Sequence, residues 1–451
     1  MEVPTELEKF LENLKVSGQS DGVGSFTLAR EKALEKMAEF QLPFAGAWIV
    51  KAFQSMIASG GVAPIAVLQT RRFTEMRRAT QLGWSLADLE EAFFTPEPSG
   101  NRSIDHLVSA LWVVGLKDKR GFEVSLPGQP QALLWDGTHM HTVPRDPGQA
   151  LVLSVAHQSA SGGTWLHDQV EASRRNSEVA KSLRDYCYTS PVPLTLDGRR
   201  LDGLHHCPHH GWNNRQFPLA LAFIDRTDLP ELRWPPGTFE KAHKAGNHAL
   251  ADGGGLEGIT QQLLKGVPRT KQGPLAVLIT AHARPETGEK QKEKNLTVWR
   301  LYPASSHCCW VQDGAQILAE RLNIAARGVA VGYFLSAQDL PTDLTGFRLR
   351  DSEEKTRRAS LARREIKRSV RALASVHLGA LKSHNQKRYK ILGNTVLVLA
   401  IGVGWSVPFV GPPAAMLMGL FGFMARFADR VEQGTLIGEL DEALHKLKSS
   451  L

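Results

Sequence analysis

Apolar residues fall at Ile49, Ala52, Phe53 and Met56 of "WIVKAFQSMIASGG", the i, i+3, i+4, i+7 spacing of a helix with one buried face. Gly60 and Gly61 follow, and glycine readily adopts the left-handed backbone that ends a helix. Strands are predicted at "PIAVLQT", "RGFEVSLPG", "QALLWDG" and "ALVLSVAH", with a helix over 103–116 between the first two. A charged amphipathic helix is predicted earlier, over 26–40. Further on, "SEVAKSLRDYCYTS" reads as a helix, followed by a short strand, an Asp197-Gly198 turn and a return strand.

A second block begins near residue 200. Strands are predicted at "PLALAFID", "LAVLITAHAR", "LTVWRLYP" and "GVAVGYFLS", with "PETGEKQKEKN" as a solvated linker. "CCWVQDGAQILAERLN" reads as a turn and a helix. The stretch "SLARREIKRSVRALASVHLGALKSH" is a helix with Ile366, Val370 and Leu373 on one face and arginines elsewhere. Strands interspersed with helices indicate an α/β fold, and 451 residues suffice for two or three domains with proper cores.

Charge changes the picture at the C-terminal end. The net charge is +8, yet residues 350–390 hold thirteen Lys or Arg against four Asp or Glu, so the rest of the chain is close to neutral. The 35 residues 391–425 that follow carry no charge at all. A run of that length suits the hydrocarbon core of a bilayer, which takes about 20 helical residues. Pro408, Gly411, Pro412 and Pro413 divide it, so two joined passes, a re-entrant hairpin and one tilted helix all satisfy the pattern. A buried glycine-rich helical hairpin inside a soluble domain satisfies it too. Basic residues on both flanks favour cytoplasmic placement of both ends. The expectation is a membrane-localised protein with the bulk of the chain cytoplasmic. The partners expected are the bilayer at 391–426 and anionic lipid headgroups at the basic helix. That helix lacks interleaved aromatic residues for stacking on bases, and no nucleic-acid partner is expected. Four cysteines without framework spacing, behind an acidic N-terminus, imply reduced thiols.

Candidate chemistry is sparse. "LHHCPHHGW" offers His205, Cys207 and His209 as metal ligands, with Cys308 and Cys309 after His307 as a second half. One local cluster supplies at most half a site, and a polar loop at a domain boundary is the plainer reading. "SGGTW" at 161–165 presents backbone amides without the Gly-Lys-Ser/Thr of a phosphate loop. His157 and Ser161 beside it lack a visible third group for a nucleophile pair. Lys51, Gln54 and Ser55 occupy the polar positions of the 47–58 helix, where the plain expectation is a solvent-facing stripe.

Three blocks, "IVKAFQSMIASGGVAPIAVLQ", "LVLSVAH … SEVAKSLRDYCYTSPVPLTLDGRRL" and "FLSAQDLPTDLTGF", together resemble the GHKL ATPase superfamily, in particular the HtpG/Hsp90-type chaperones and, less closely, MutL. The resemblance spans roughly residues 25–350. It implies a Bergerat-type α/β sandwich over 1–190 and a second, ribosomal-protein-like α/β domain over 191–350. The basic helix 351–390, the helical membrane segment 391–426 and a cytoplasmic tail 427–451 complete the expected organisation. The family positions of the general-base glutamate and the magnesium-holding asparagine fall on Lys51 and Ser55, the cofactor-facing candidates that the resemblance implies. A charged lysine cannot take a proton from water. No Asp-x-Gly-x-Gly follows in "FTEMRRATQLGW", only Gly100 and Gly115 remain of the lid, and the phosphate-contacting arginine falls on Gly346. ATP and Mg²⁺, the family cofactors, are therefore disfavoured, and no catalytic residue is assigned. The implied function is a pseudo-ATPase scaffold that senses a ligand or a protein partner, with a homodimer compatible. The alternative is an active ATPase in which Glu75 or Asp105 stands in.

Overall fold

A computed structural model describes residues 42–159, 165–211, 216–224, 226–234, 273–285, 299–324, 328–364, 367, 371, 439–440 and 442–449. The helix expected over 26–40, the linker 286–295 and the uncharged run 391–425 lie outside the described residues.

Helix α1 (Ala47–Ala58) forms where the apolar spacing requires it, and Ile49, Ala52, Phe53 and Met56 are all buried. Burial of each of the larger side chains contributes about 1.5–3 kcal/mol. Two strands follow, β1 (Ile65–Gln69) and β2 (Phe73–Arg78), paired antiparallel. Helix α2 (Leu86–Phe93) starts at a reciprocal capping box between Ser85 and Asp88, and α3 (Arg102–Leu111) starts at an Asn101 cap. A π-helical turn, Trp112–Lys117, closes α3, and its Gly115 lets Phe122 and Trp135 approach where a Cβ would sit 2.9 and 3.0 Å away.

Strands β3 (Arg120–Ser125), β4 (Gln131–Trp135), β5 (Met140–Pro144) and β6 (Leu151–Ser159) are antiparallel neighbours, and helix α4 (Trp165–Tyr186) leads to the hairpin β7 (Leu194–Leu196) and β8 (Arg199–Arg200). The order in the eight-stranded sheet is β5-β4-β3-β6-β2-β1-β7-β8, with β1 and β7 parallel. Leu151, Leu153 and Val155 of β6 alternate with half-buried residues, and these three share the core beneath α1. This first sheet continues through Arg200, past the boundary expected at 190.

The second sheet holds β9 (Gln216–Ile224), β10 (Leu275–Pro285), β11 (Trp299–Leu301), β12 (Ser306–Gln312), β13 (Ala315–Leu322) and β14 (Val329–Ser336). Its order is β11-β10-β14-β12-β13, with β9 also on β10. Both faces are covered. Cys308, Trp310 and Tyr333 lie in one apolar cluster, and Cys309, Val311 and Phe334 in another. The turn and helix predicted over 308–323 are instead the hairpin β12–β13, closed by Asp313-Gly314.

The C-terminal expectation is corrected. Among the described residues no helix is long and apolar enough to cross a membrane. The longest, α4, has 22 residues but is strongly charged. Part of the stretch read as a cytoplasmic tail packs on the second sheet. Leu440, Ala443, Leu444 and Leu447 join its core, and Glu439 accepts from Arg300 Nη1 at 2.7 Å and from the Leu301 backbone at 3.0 Å. The membrane segment at 391–426 and the membrane localisation built on it are thus not upheld. Absence of charge suits any apolar surrounding, and the sequence reading took lipid as the default. The start of the basic helix, 353–364, is likewise engaged with protein: Arg358 donates to Ser336 O and Gln338 O at 3.1 and 2.7 Å, and Lys355 pairs with Glu320 at 2.9 Å.

Candidate functional site

The site is the polar stripe of α1, and none of it faces solvent. Lys51 is 4 % exposed, and Gln54 and Ser55 are fully buried. The expectation of a solvated stripe fails because the second sheet sends a hairpin tip and a loop onto this face of the helix.

Ser55 lies on the seam with α3. Its Oγ donates to Ser103 O at 2.6 Å, while Ser103 Oγ donates to Ser55 O at 3.0 Å, and Trp84 Nε1 donates to Ser103 Oγ at 3.3 Å. The Ser55 hydroxyl is thereby committed to a backbone carbonyl. Gln54 Nε2 donates to Gln312 O at 3.0 Å, the last residue of β12; its Oε1 has no hydrogen-bond partner among the described residues.

Lys51 reaches the loop after β14. Its Nζ stands 4.9 Å from the centroid of the Phe347 ring, a cation–π contact. Phe347 in turn packs against Phe44 and Tyr186, with ring centroids 5.3 and 6.0 Å away. Gly346 has φ +64°, and a Cβ there would lie 2.3 Å from Nζ. Only glycine meets both demands without strain. Burial drives the Lys51 ammonium down to about 8, against the opposing fields of Asp313 and then Asp343.

Asp313 is the pivot of the contact. It accepts from Arg102 Nη2 at 3.0 Å and from His106 Nε2 at 2.9 Å, and its side chain is 5 % exposed. Burial holds His106 below the usual imidazole range, and the adjoining carboxylate assigns its proton to Nε2. Behind the turn, Thr189 Oγ1 donates to Gly314 O at 2.8 Å and the Tyr188 hydroxyl donates to Gln316 Oε1. A Cβ on Gly314 would crowd Pro191, Ile57 and Phe53 at 2.8, 3.3 and 3.3 Å. The Gln312–Gln316 tip is thus a plug from the second sheet, seated on α1 and α3.

The far end of α1 is closed by Arg78, which sequence reasoning passed over. Its guanidinium donates to Met56 O, to Gly61 O at 2.9 Å and to Ala63 O at 3.1 Å. The Met56 carbonyl is one of those a helix leaves without partners at its C-terminus, and the other two belong to the loop that follows. Burial lowers the Arg78 group to about 10. Its alternation with Thr74 and Met76, all buried, was the available signal.

The acids named as stand-in catalysts are occupied elsewhere. Asp105 Oδ1 accepts from Ser99 N and Ser99 Oγ, both at 2.7 Å. Glu75 pairs with Arg77 and sits out of phase with the buried residues of β2. His157 is buried, and burial lowers its pKa below the usual range; Ser161 lies outside the described residues.

The histidine cluster is brought onto β12. The His209 ring stacks on His307 with centroids 4.1 Å apart, and His210 stands 5.3 Å from His307. His205 packs on His206 at 3.9 Å. Among the described residues no group of three or more His, Cys, Asp or Glu is arranged to hold a metal ion. Cys207 instead meets Cys309. Burial alone raises a thiol, but hydrogen bonds from the Cys309 thiol and the His209 and His210 backbone amides oppose it at Cys207, leaving it below the ordinary thiol range. No protein-family model and no curated protein sequence matches this chain.

Proposed function

We propose that this chain is a non-hydrolysing, Hsp90-like scaffold in which a self-contact between its two α/β units occupies the place of a nucleotide-processing centre. The observation that carries this reading is the engagement of all three polar positions of α1 by the chain's own groups. A hydrolytic centre needs a carboxylate or imidazole free to take a proton and an oxygen donor open to a metal. The positions implied by the resemblance hold a buried ammonium and a hydroxyl already bonded to Ser103 O. The scaffold would respond to a ligand or protein partner through the docking of the Gln312–Gln316 tip, which is held by polar contacts that a partner can exchange.

The test is a nucleotide titration of the full chain with Mg²⁺, followed by a turnover assay. No saturable binding at millimolar ATP and no phosphate release are expected. Saturable binding accompanied by turnover would overturn the reading and establish an ATPase with relocated groups.

A further inference from the structure

Cys308 and Cys309 are neighbours in sequence but belong to opposite faces of the second sheet, because successive strand residues alternate. Cys308 is buried beside Trp310 and Tyr333, and burial pushes its thiol well up. Cys309 points to the other face, which the 201–211 segment covers. There the Cys309 thiol is within hydrogen-bonding contact of the Cys207 sulfur, and the Tyr188 hydroxyl touches both. Cys207 is 3 % exposed and Cys309 fully buried, and on the segment that carries Cys207, Pro208 is exposed and His205 and His206 are half-buried. The remaining cysteine, Cys187, is fully buried near the end of α4 and raised by desolvation.

We propose that Cys207 and Cys309 form an oxidative modification site, a thiol pair that a hydroperoxide converts to a disulfide. The Cys207 sulfur attacks the peroxide, the O–O bond breaks, and Cys207 sulfenic acid and an alcohol or water form. The Cys309 sulfur then attacks the Cys207 sulfur, the S–O bond breaks, and water leaves with the thiol proton. Two electrons pass from the two thiols to one peroxide. The His209 and His210 backbone amides and the Cys309 thiol converge on Cys207, a hydrogen-bond-donating surrounding that favours the nucleophilic thiolate. The bond would staple the segment joining the two sheets to β12, the strand that ends at the docking tip. This inference is independent of the nucleotide reading.

The experiment uses the full chain, reduced, then treated with hydrogen peroxide, blocked with an alkylating reagent and digested with trypsin. The expected product links peptide 201–215 to peptide 301–321 with loss of two hydrogen atoms and separates again on reduction. Because the second peptide holds two cysteines, Cys308→Ser and Cys309→Ser decide between them. The link should persist in the first and vanish in the second, where Cys207 should become trappable as a sulfenic acid. Wild-type Cys207 and Cys309 both recovered fully alkylated, under peroxide that oxidises an ordinary free thiol, would overturn the proposal. So would a link that persists in Cys309→Ser and is lost in Cys308→Ser, or oxidation of Cys207 to sulfinic acid without any link.

Discussion

The Asp197-Gly198 and Asp313-Gly314 turns share the same residues and nearly the same backbone, with φ of 48° and 77° in the first and 45° and 74° in the second. Both close two-residue hairpins, as an Asp-Gly pair between strand-like runs requires. Their surroundings differ. The first is exposed, and Asp197 Oδ1 accepts only from the Gln69 backbone of the adjoining segment, at 2.8 Å. The second is pressed into the first unit: Asp313 joins Arg102 and His106 and opposes the desolvation of Lys51, while Gly314 lies against Phe53 and Ile57. A local turn code builds both. Long-range packing alone makes one of them a lock.

Substitutions can sharpen this contrast, beginning with the strongest. Lys51→Glu would place a carboxylate in a buried site facing Asp313 and Asp343. Its expected cost is about 3–5 kcal/mol in urea unfolding, with no gain of ATP turnover. A silent substitution would return Lys51 to the solvent stripe. Asp313→Ala leaves the largely buried His106 without its carboxylate partner and removes the field that supports Lys51, costing about 2–4 kcal/mol by the same measurement.

The pH response of the lock follows from the lowered Lys51 group. Above about 8 the folded chain sheds this proton, whereas the unfolded chain keeps it until near the ordinary value of 10.5. The unfolded state then binds more protons, so this group makes stability rise with pH across that window. Between pH 8 and 9.5 the wild type should gain about 1–2 kcal/mol relative to Lys51→Met. Parallel pH profiles of the two proteins would contradict the buried ammonium. Gly346→Ala meets both a positive φ and the Lys51 Nζ, and should lower stability by about 1–3 kcal/mol. At the exposed turn, Asp197→Ala should cost less than about 1 kcal/mol in thermal unfolding, since one solvent-accessible hydrogen bond is lost.

Periodicity made α1, β1, β3, β4 and β6 legible, because apolar residues recur at the spacing of each element's core face. Strand β2 was missed, its alternation of Thr74, Met76 and Arg78 disguised by charge. An arginine on a core face becomes understandable only once the Met56 carbonyl of α1 and the Gly61 carbonyl after it are in place. The β13 segment "AQILAERL" favours a helix residue by residue, and its pairing with β12 overrides that preference. The burial of Lys51 could not be read from its own helix, since the covering groups come from Asp313 and Phe347, distant in sequence. The pairing of Cys207 with Cys309 was half visible: the two cysteine-bearing stretches stood out, but the face each thiol takes depends on the register of β12.

The central claim is that Lys51 and Asp313 are electrostatically coupled across the two units. A double-mutant cycle on the full chain, with Lys51→Met, Asp313→Asn and the pair, tests it most directly through urea unfolding at pH 7. A coupling energy of about 1 kcal/mol or more is expected, with the double variant less damaged than the two single losses imply. Additivity within about 0.5 kcal/mol would show that the residues do not sense each other and would contradict the lock.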